Sequence, residues 1–274
     1  MSANSALSQG RDELANLLNR LQSGVPFSFV RFSDGEIEIL RNRKLVIENG
    51  RTHFRGRELE NSFPVYDSKR FIPGFDFGLR KDLMQSALFK SENYFKGIPT
   101  WHNDAVRDRE FLLRLNGGYD ERMTFSDLLV NSNYEFFRTD VLDSLKEKCE
   151  DIFFIGNYRA VIKSPFMTQN LISIPDDFFS NYPSVRSNVL AKVFALPRGS
   201  IVLSSASSLS NIVGMQVRIR RDDLTFIDVG TAINDLLSLR SNTRAYHDAV
   251  FANSVREKVR AVRVKLQRRY RLRW

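Results

Sequence analysis

"GSIVLSSASSLSNIVGMQVRIRRDDLTFIDVGTAINDLL", residues 199–237, carries the pattern on which the fold turns. It opens as a short apolar strand that empties into a serine-rich turn. "LSNIVGMQVRIRR" follows as a helix, and "LTFIDVGTAINDLL" reads as a second strand, turn and helix. Strands that are apolar throughout, joined through a helix, are those of a parallel sheet covered on both faces. The same rhythm extends upstream. "DIFFIGN" (151–157) is an apolar run stopped by Gly156 and Asn157. "LISIP" (171–175) is another strand, and "SVRSNVLAKVFAL" (184–196) a helix with Ser184 suited to its N-cap.

Nearer the start, "FSFVRFSDGEIEIL" (27–40) begins as a strand and ends as an amphipathic helix. "RDELANLLNRLQSG" (11–24) places Leu14, Leu17, Leu18 and Leu21 at helical spacing, with Gly24 past the end. Residues 1–9 are small and polar and read as disordered. Residues 42–80 read as a loop excursion with short strands, and residues 80–95 as a helix. "KGIPTW" (96–101) is a short strand or loop, residues 107–118 a helix closed by Gly117 and Gly118, and residues 124–149 two helices. The expectation is an α/β fold, Rossmann-related, with a mostly parallel central sheet flanked by helices. An N-terminal segment and helix (1–23), a main domain (24–250) and a basic amphipathic C-terminal helix (251–274) complete it.

The 274 residues, 42% hydrophobic, are ample for a packed core. No stretch resembles a signal peptide and no run of about 18 apolar residues occurs, so a cytoplasmic protein without membrane spans is expected. The single cysteine, Cys149, excludes an internal disulfide and a thiolate zinc cluster. Of the formal charge of +9, residues 251–274 carry +8, from nine basic side chains and one acidic. The body is nearly neutral, so no nucleic-acid partner is expected for it. On a helix, Val255, Val259, Val262, Leu266 and Tyr270 would form one apolar stripe among the cations, with Trp274 at the end. That stripe suits an anionic membrane surface at the inner face of the cytoplasmic membrane. It equally suits packing on the body or on a second copy in a homo-oligomer.

In open α/β sheets, ligands bind beyond the carboxyl ends of the strands. Four such exits carry polar groups: Arg31 with Asp34 and Glu36; Gly156, Asn157, Tyr158 and Arg159; the serine turn at 204–208; and Asp228 with Gly230 and Thr231. No Walker motif, G-x-G-x-x-G or G-x-S-x-G occurs, which argues against P-loop enzymes, dehydrogenases and serine hydrolases. Asp34 and Glu36 flank Gly35 and could converge on one hard cation, Mn²⁺ or Mg²⁺, with phosphates completing its shell. Arg31 could contact those phosphates. The structural alternative is that Asp34 caps the next helix and Glu36 favours its positive end. The serine turn offers hydroxyls and N–H groups to a phosphate, or caps its helix. Asp228 is a candidate for activating an acceptor hydroxyl, or a turn former. His102, near Trp101 and Asp104, is an acceptor-side base or a loop histidine. His53 and His247 stand alone, and Arg240 and Arg244 either neutralise phosphate or are solvated.

"FSFVRFSDGE" resembles the R-F-G-D-G-E signature of the GT-D glycosyltransferases, and "FIDVGTAIN" is similar to a D-I/V-G segment near the C-terminus of that family. Ser33 stands where the family usually has glycine, and Thr231 where many members have histidine. The resemblance implies a D-x-E motif serving metal and nucleotide-sugar donor. Asp34 and Glu36 are then metal ligands and, with Asp228, catalytic. Arg31, Gly35, Gly156, Asn157, Ser205 and Ser208 are donor-binding. The implied reaction moves sugar from a nucleotide-sugar, a UDP-sugar, to a glycan or lipid-linked glycan acceptor in surface polysaccharide or glycoprotein glycan synthesis. The alternative is a non-enzymatic membrane-peripheral or nucleic-acid-binding module acting through its arginine-rich tail.

Overall fold

A computed structural model of the chain describes residues 3–54, 57–59, 67–100 and 105–239. The expectations for His102, Arg240, Arg244, His247 and the basic tail 251–274 lie outside these residues. Helix α1 (Ala3–Gln22) leads into β1 (Ser28–Arg31) and the short α2 (Asp34–Leu40). Residues 3–9 are thus not a separate disordered stretch, for the helix of the leucine stripe already runs from Ala3. Strands β2 (Leu45–Glu48), β3 (Arg51–Phe54), β4 (Arg57–Leu59) and β5 (Lys69–Phe71) form an antiparallel sheet of order β4-β3-β2-β5. This is the excursion that had no clear pattern in sequence.

Helix α3 (Phe77–Leu88) precedes β6 (Tyr94–Ile98), α4 (Ala105–Asn116) and β7 (Met123–Phe125). Sequence placed a longer helix over 80–95, but it stops at Leu88 and the chain enters β6 at Tyr94. Residues 131–151 are a series of short helical turns, including α5 (Tyr134–Phe136) and α6 (Leu142–Leu145), rather than two long helices. Then come β8 (Ile152–Asn157), β9 (Leu171–Ile174), α7 (Tyr182–Phe194), β10 (Ile201–Ser204), α8 (Ser208–Arg220) and β11 (Thr225–Asp228).

The main sheet has seven strands in the order β7-β6-β1-β11-β10-β8-β9, and every pairing in it is parallel. Its strands are apolar because both faces are covered. Val30, Val202 and Phe226 pack with residues of α2, α3, α4, α7 and α8 on one face. Phe29, Leu203 and Ile227 pack with α1 and residues 128–145 and 229–237 on the other. Connections stepping toward β7 carry their helices over the first face and those stepping away pack on the second, as right-handed crossovers require. Among the described residues no helix is long and apolar enough to cross a membrane.

Because all seven strands run the same way, their carboxyl ends share one edge. The first strand and the last are neighbours in the centre of it, Phe29 facing Ile227. Helix α8 lies directly over this pair. A Cβ on Gly214 would come within 2.5 Å of Val30 Cγ1 and 2.9 Å of Phe226 Cδ1. Glycine in a helix ordinarily costs about 1 kcal/mol relative to alanine, so the close approach has to outweigh that penalty. Gly214→Ala is therefore expected to lower stability by about 1–3 kcal/mol through overpacking, read from the urea midpoint. A gain in stability would show that α8 is free to move away from the sheet.

Candidate active site

The site begins where β1 and β11 end. Asp228, buried at the end of β11, accepts from the backbone N–H of Arg31 at 3.2 Å and from Arg31 Nη2 at 3.4 Å. The N–H of Gly230 donates to the same carboxylate at 3.1 Å. Arg31 Nη1 reaches on to the carbonyl of Ser126, beyond β7, at 3.3 Å. One guanidinium thus ties together strand exits that the sequence keeps far apart. Gly230 makes this possible, with φ at +49° and the guanidinium against its Cα. A Cβ there would fall 1.7 Å from Arg31 Nη2.

Helix α2 rises immediately after β1. Its N-cap is Ser33, so Asp34 is the first helical residue rather than the cap, and its side chain is exposed. Glu36 closes a capping box, its Oε2 accepting from the N–H of Ser33 at 3.2 Å. Its other oxygen, Oε1, accepts from the hydroxyl of Ser207 at 3.3 Å, across 171 residues of sequence. Glu36 is buried, and burial together with the charges of Asp228 and Asp34 pushes its pKa from 4.5 up to about 7, against a smaller opposing pull from Arg31. Burial likewise raises Asp228, with Arg31 acting the other way. Three carboxylates therefore crowd one arginine at the edge of the sheet. Structural capping and the carboxylate cluster coexist in Glu36.

Hard oxygen donors in an excess of negative charge suit Mn²⁺ or Mg²⁺. Among the described residues no three His, Cys, Asp or Glu side chains form a ligating group. The protein itself offers Asp34 and Glu36, and a cation held there needs further oxygens from its substrate, as is usual for Mg²⁺ at phosphates.

The remaining expectations divide. Asp228 reaches the cluster, where its oxygens are engaged by Arg31 and Gly230 and it anchors the guanidinium. Ser205 lies half-buried at the end of β10, its N–H bonded to the Ile155 carbonyl at 2.8 Å. Ser208 is fully buried in the first turn of α8, so its side chain packs inside instead of meeting a donor. Gly156 answers to packing: a Cβ there would approach Leu237 Cδ1 at 3.2 Å. Asn157 holds its own loop, donating to Asp176 at 2.7 Å and accepting from the Arg159 N–H at 3.0 Å. Gly35 has room for a side chain, its nearest neighbour being Leu45 at 3.7 Å. His53 lies in β3, in the antiparallel sheet.

Sequence reasoning placed Ser207 and Gly230 at strand exits without giving either a role of its own, and it missed the Ser126 carbonyl. Gly230, two residues past the strand-end aspartate, was legible as a turn glycine but not as the seat of a guanidinium. Nothing in a run of serines distinguishes Ser207 from its neighbours.

The pKa of Glu36 fixes the sign of a stability profile. A carboxylate raised on folding stabilises the folded state fully below its ordinary value of 4.5, and this contribution is lost as pH rises toward about 7. The difference corresponds to about 3 kcal/mol. Urea unfolding in EDTA between pH 4.5 and 8 should show wild-type stability falling across this window relative to Glu36→Gln, which is neutral throughout. Parallel profiles for the two proteins would contradict the placement of Glu36.

Compared with known proteins, the chain matches no family model and no curated protein. Among solved structures, one described as "The highly conserved domain of unknown function 1792 has a distinct glycosyltransferase fold" covers 80% of this chain and 77% of its own, at 15% identity and a TM-score of 0.48. A selenomethionine-substituted structure of domain of unknown function 1792 has the same coverage, 16% identity and a TM-score of 0.49. A structure described as "A New Glycosyltransferase (DUF1792) from Streptococcus sanguinis" covers 80% of each chain at 12% identity, with a TM-score of 0.46. Likeness at this level assigns no residue a role and names no substrate.

Proposed function

We propose that the protein is a metal-dependent glycosyltransferase that moves a sugar from a nucleotide-sugar, a UDP-sugar, to a glycan or lipid-linked glycan. The observation that carries this reading is the convergence of Asp34, Glu36 and Asp228 with Arg31 at the carboxyl edge of a parallel sheet, with Glu36 raised to about 7 by burial first and by the charges of Asp228 and Asp34 second. Carboxylates held against desolvation and mutual repulsion fit a site completed by a cation and the diphosphate it carries. The motif resemblance of residues 27–36 and 226–234 points the same way.

Asp34 and Glu36 would hold Mn²⁺ or Mg²⁺. When bound, the ion supplies Lewis-acid stabilisation of the departing nucleoside diphosphate. Arg31, with 15% of its side chain still accessible, faces the same anion with a fixed positive charge. Asp228 keeps that guanidinium in place through its bonds to the backbone and side chain of Arg31. Of the two residues that would hold the ion, Glu36 is buried and Asp34 is open to solvent. The sequence of the tail, net +8 over residues 251–274, fits an enzyme that works beside an anionic membrane surface on lipid-linked acceptors.

Asp34→Asn is the cleanest test because the side chain is exposed, and such a substitution ordinarily moves stability by less than about 0.5 kcal/mol. Metal-assisted charge stabilisation is worth several kcal/mol, so release of UDP from UDP-sugars in Mn²⁺ should fall about 100-fold or more, with Tm essentially unchanged. Glu36→Gln should lose the same activity. Wild-type turnover in both variants at limiting Mn²⁺ would remove these residues from the reaction.

A further inference from the structure

Ser207 sits at the mouth of α8 with φ +50° and ψ −143°, backbone that glycine takes freely and other residues rarely adopt. Such a conformation persists only where the surroundings impose it. Here they do so from both sides. Behind the turn, the N–H of Ser205 is bonded to the Ile155 carbonyl at 2.8 Å. Within it, the hydroxyls of Ser204 and Ser210 are 2.8 Å apart, and Ser210 Oγ accepts from the N–H of Ala206 at 3.2 Å. Ahead of it, the N–H of Ser210 closes on the carbonyl of Ser207 at 2.8 Å. Asn211 then fastens α8 to the exit of β1, its Nδ2 donating to the Arg31 carbonyl at 2.8 Å.

A glycine at 207 would adopt this backbone without strain, and an alanine would fill the same space. What serine alone adds is a hydroxyl, and that hydroxyl donates to Glu36 Oε1. Because the N–H of Ser33 holds Oε2, the carboxylate is gripped at both oxygens by two different loops. Its plane and its distance from Arg31 and Asp228 are then fixed before any ligand arrives. We propose that Ser207 is a positioning residue: its strained turn aims a hydroxyl that orients Glu36 for cation and diphosphate binding. This rests on the function proposed above for Asp34 and Glu36. The turn of α8 thereby couples the last βα unit to the motif that follows the first strand.

The test sets stability against binding, using Mn²⁺ with UDP as the probe. Both Ser207→Gly and Ser207→Ala lose the hydroxyl, but only glycine relieves the strained backbone, so the glycine variant should melt about 2–4 °C above the alanine variant. The glycine variant should bind Mn²⁺–UDP about tenfold more weakly than wild type by calorimetry, in line with a lost hydrogen bond to a charged group. Ser207→Ala should weaken binding equally and have the lower Tm of the two variants. Equal losses of binding in two variants of unequal stability are what a merely structural serine does not produce. Wild-type affinity in Ser207→Gly, or binding losses that follow the two variants' Tm values, overturns the assignment while leaving the proposed function intact. If the wild-type protein itself binds neither Mn²⁺ nor UDP, the proposed function falls and the role of Ser207 falls with it.

Discussion

The Arg31 guanidinium laid against Asp228 is the contact on which the rest of the site depends. It joins residues 197 positions apart, at the ends of the first and last strands of the sheet. Both groups are largely withdrawn from water, so neither tolerates loss of the other. Removing one partner of such a pair ordinarily costs about 3–5 kcal/mol, because the survivor is left buried and uncompensated. The pair also dictates the residues around it. Gly230 has to be glycine, since any side chain would occupy the space of the guanidinium. Ser126 has to approach closely enough to accept from Arg31, and Gly97 permits this. A Cβ at 97 would lie 2.9 Å from the carbonyl oxygen of Phe125 and 2.9 Å from the Cα of Ser126.

Neutralising Asp228 leaves Glu36 and Asp34 without an equivalent cation of their own. The elevated pKa of Glu36 reflects its burial first and the charges of Asp228 and Asp34 second, so ionising it carries an energetic cost in the unliganded protein. Helix α2 carries the burden. Its buried far end is held by Arg41, which donates to Asp108 of α4 at 2.6 Å and lies over the ring of Phe111 at 4.7 Å. Its near end is held by the Ser33–Glu36 box and by Ser207. A seven-residue helix has little stability of its own, so these tertiary ties are what keep two like charges side by side. Rigid support of repelling ligands is the arrangement expected where a cation and its anionic substrate supply the missing attraction.

Much of this was legible in the sequence, for identifiable reasons. Strands β8 to β11 are short, apolar and separated by α7 and α8, and that pattern alone announced a parallel sheet. The placement of Arg31, Asp34, Glu36 and Asp228 on one edge followed from parallel direction. Short strands were expected within residues 42–80, but their antiparallel pairing was hidden because each is three or four residues long, too short for a period to register. The helical turns of residues 131–151 lack the unbroken periodicity that marks a single helix. Gly156 looked like a ligand-binding glycine but answers to Leu237, and Ser208 looked like a phosphate ligand but is interior. Choosing among the serines at 204–208 required knowing which one the backbone twists outward, and composition carries no trace of φ.

The most direct measurement is the position of the ion. Crystals grown with Mn²⁺ and UDP, with data collected at the manganese absorption edge, would place the metal independently of any kinetic assay. The proposed site predicts one anomalous peak within about 2.0–2.4 Å of carboxylate oxygens of Asp34 and Glu36, hard-cation bonding distance, bridging to the diphosphate beside Arg31. A peak elsewhere, or UDP bound at a different edge of the sheet with Asp34 and Glu36 untouched, would contradict it.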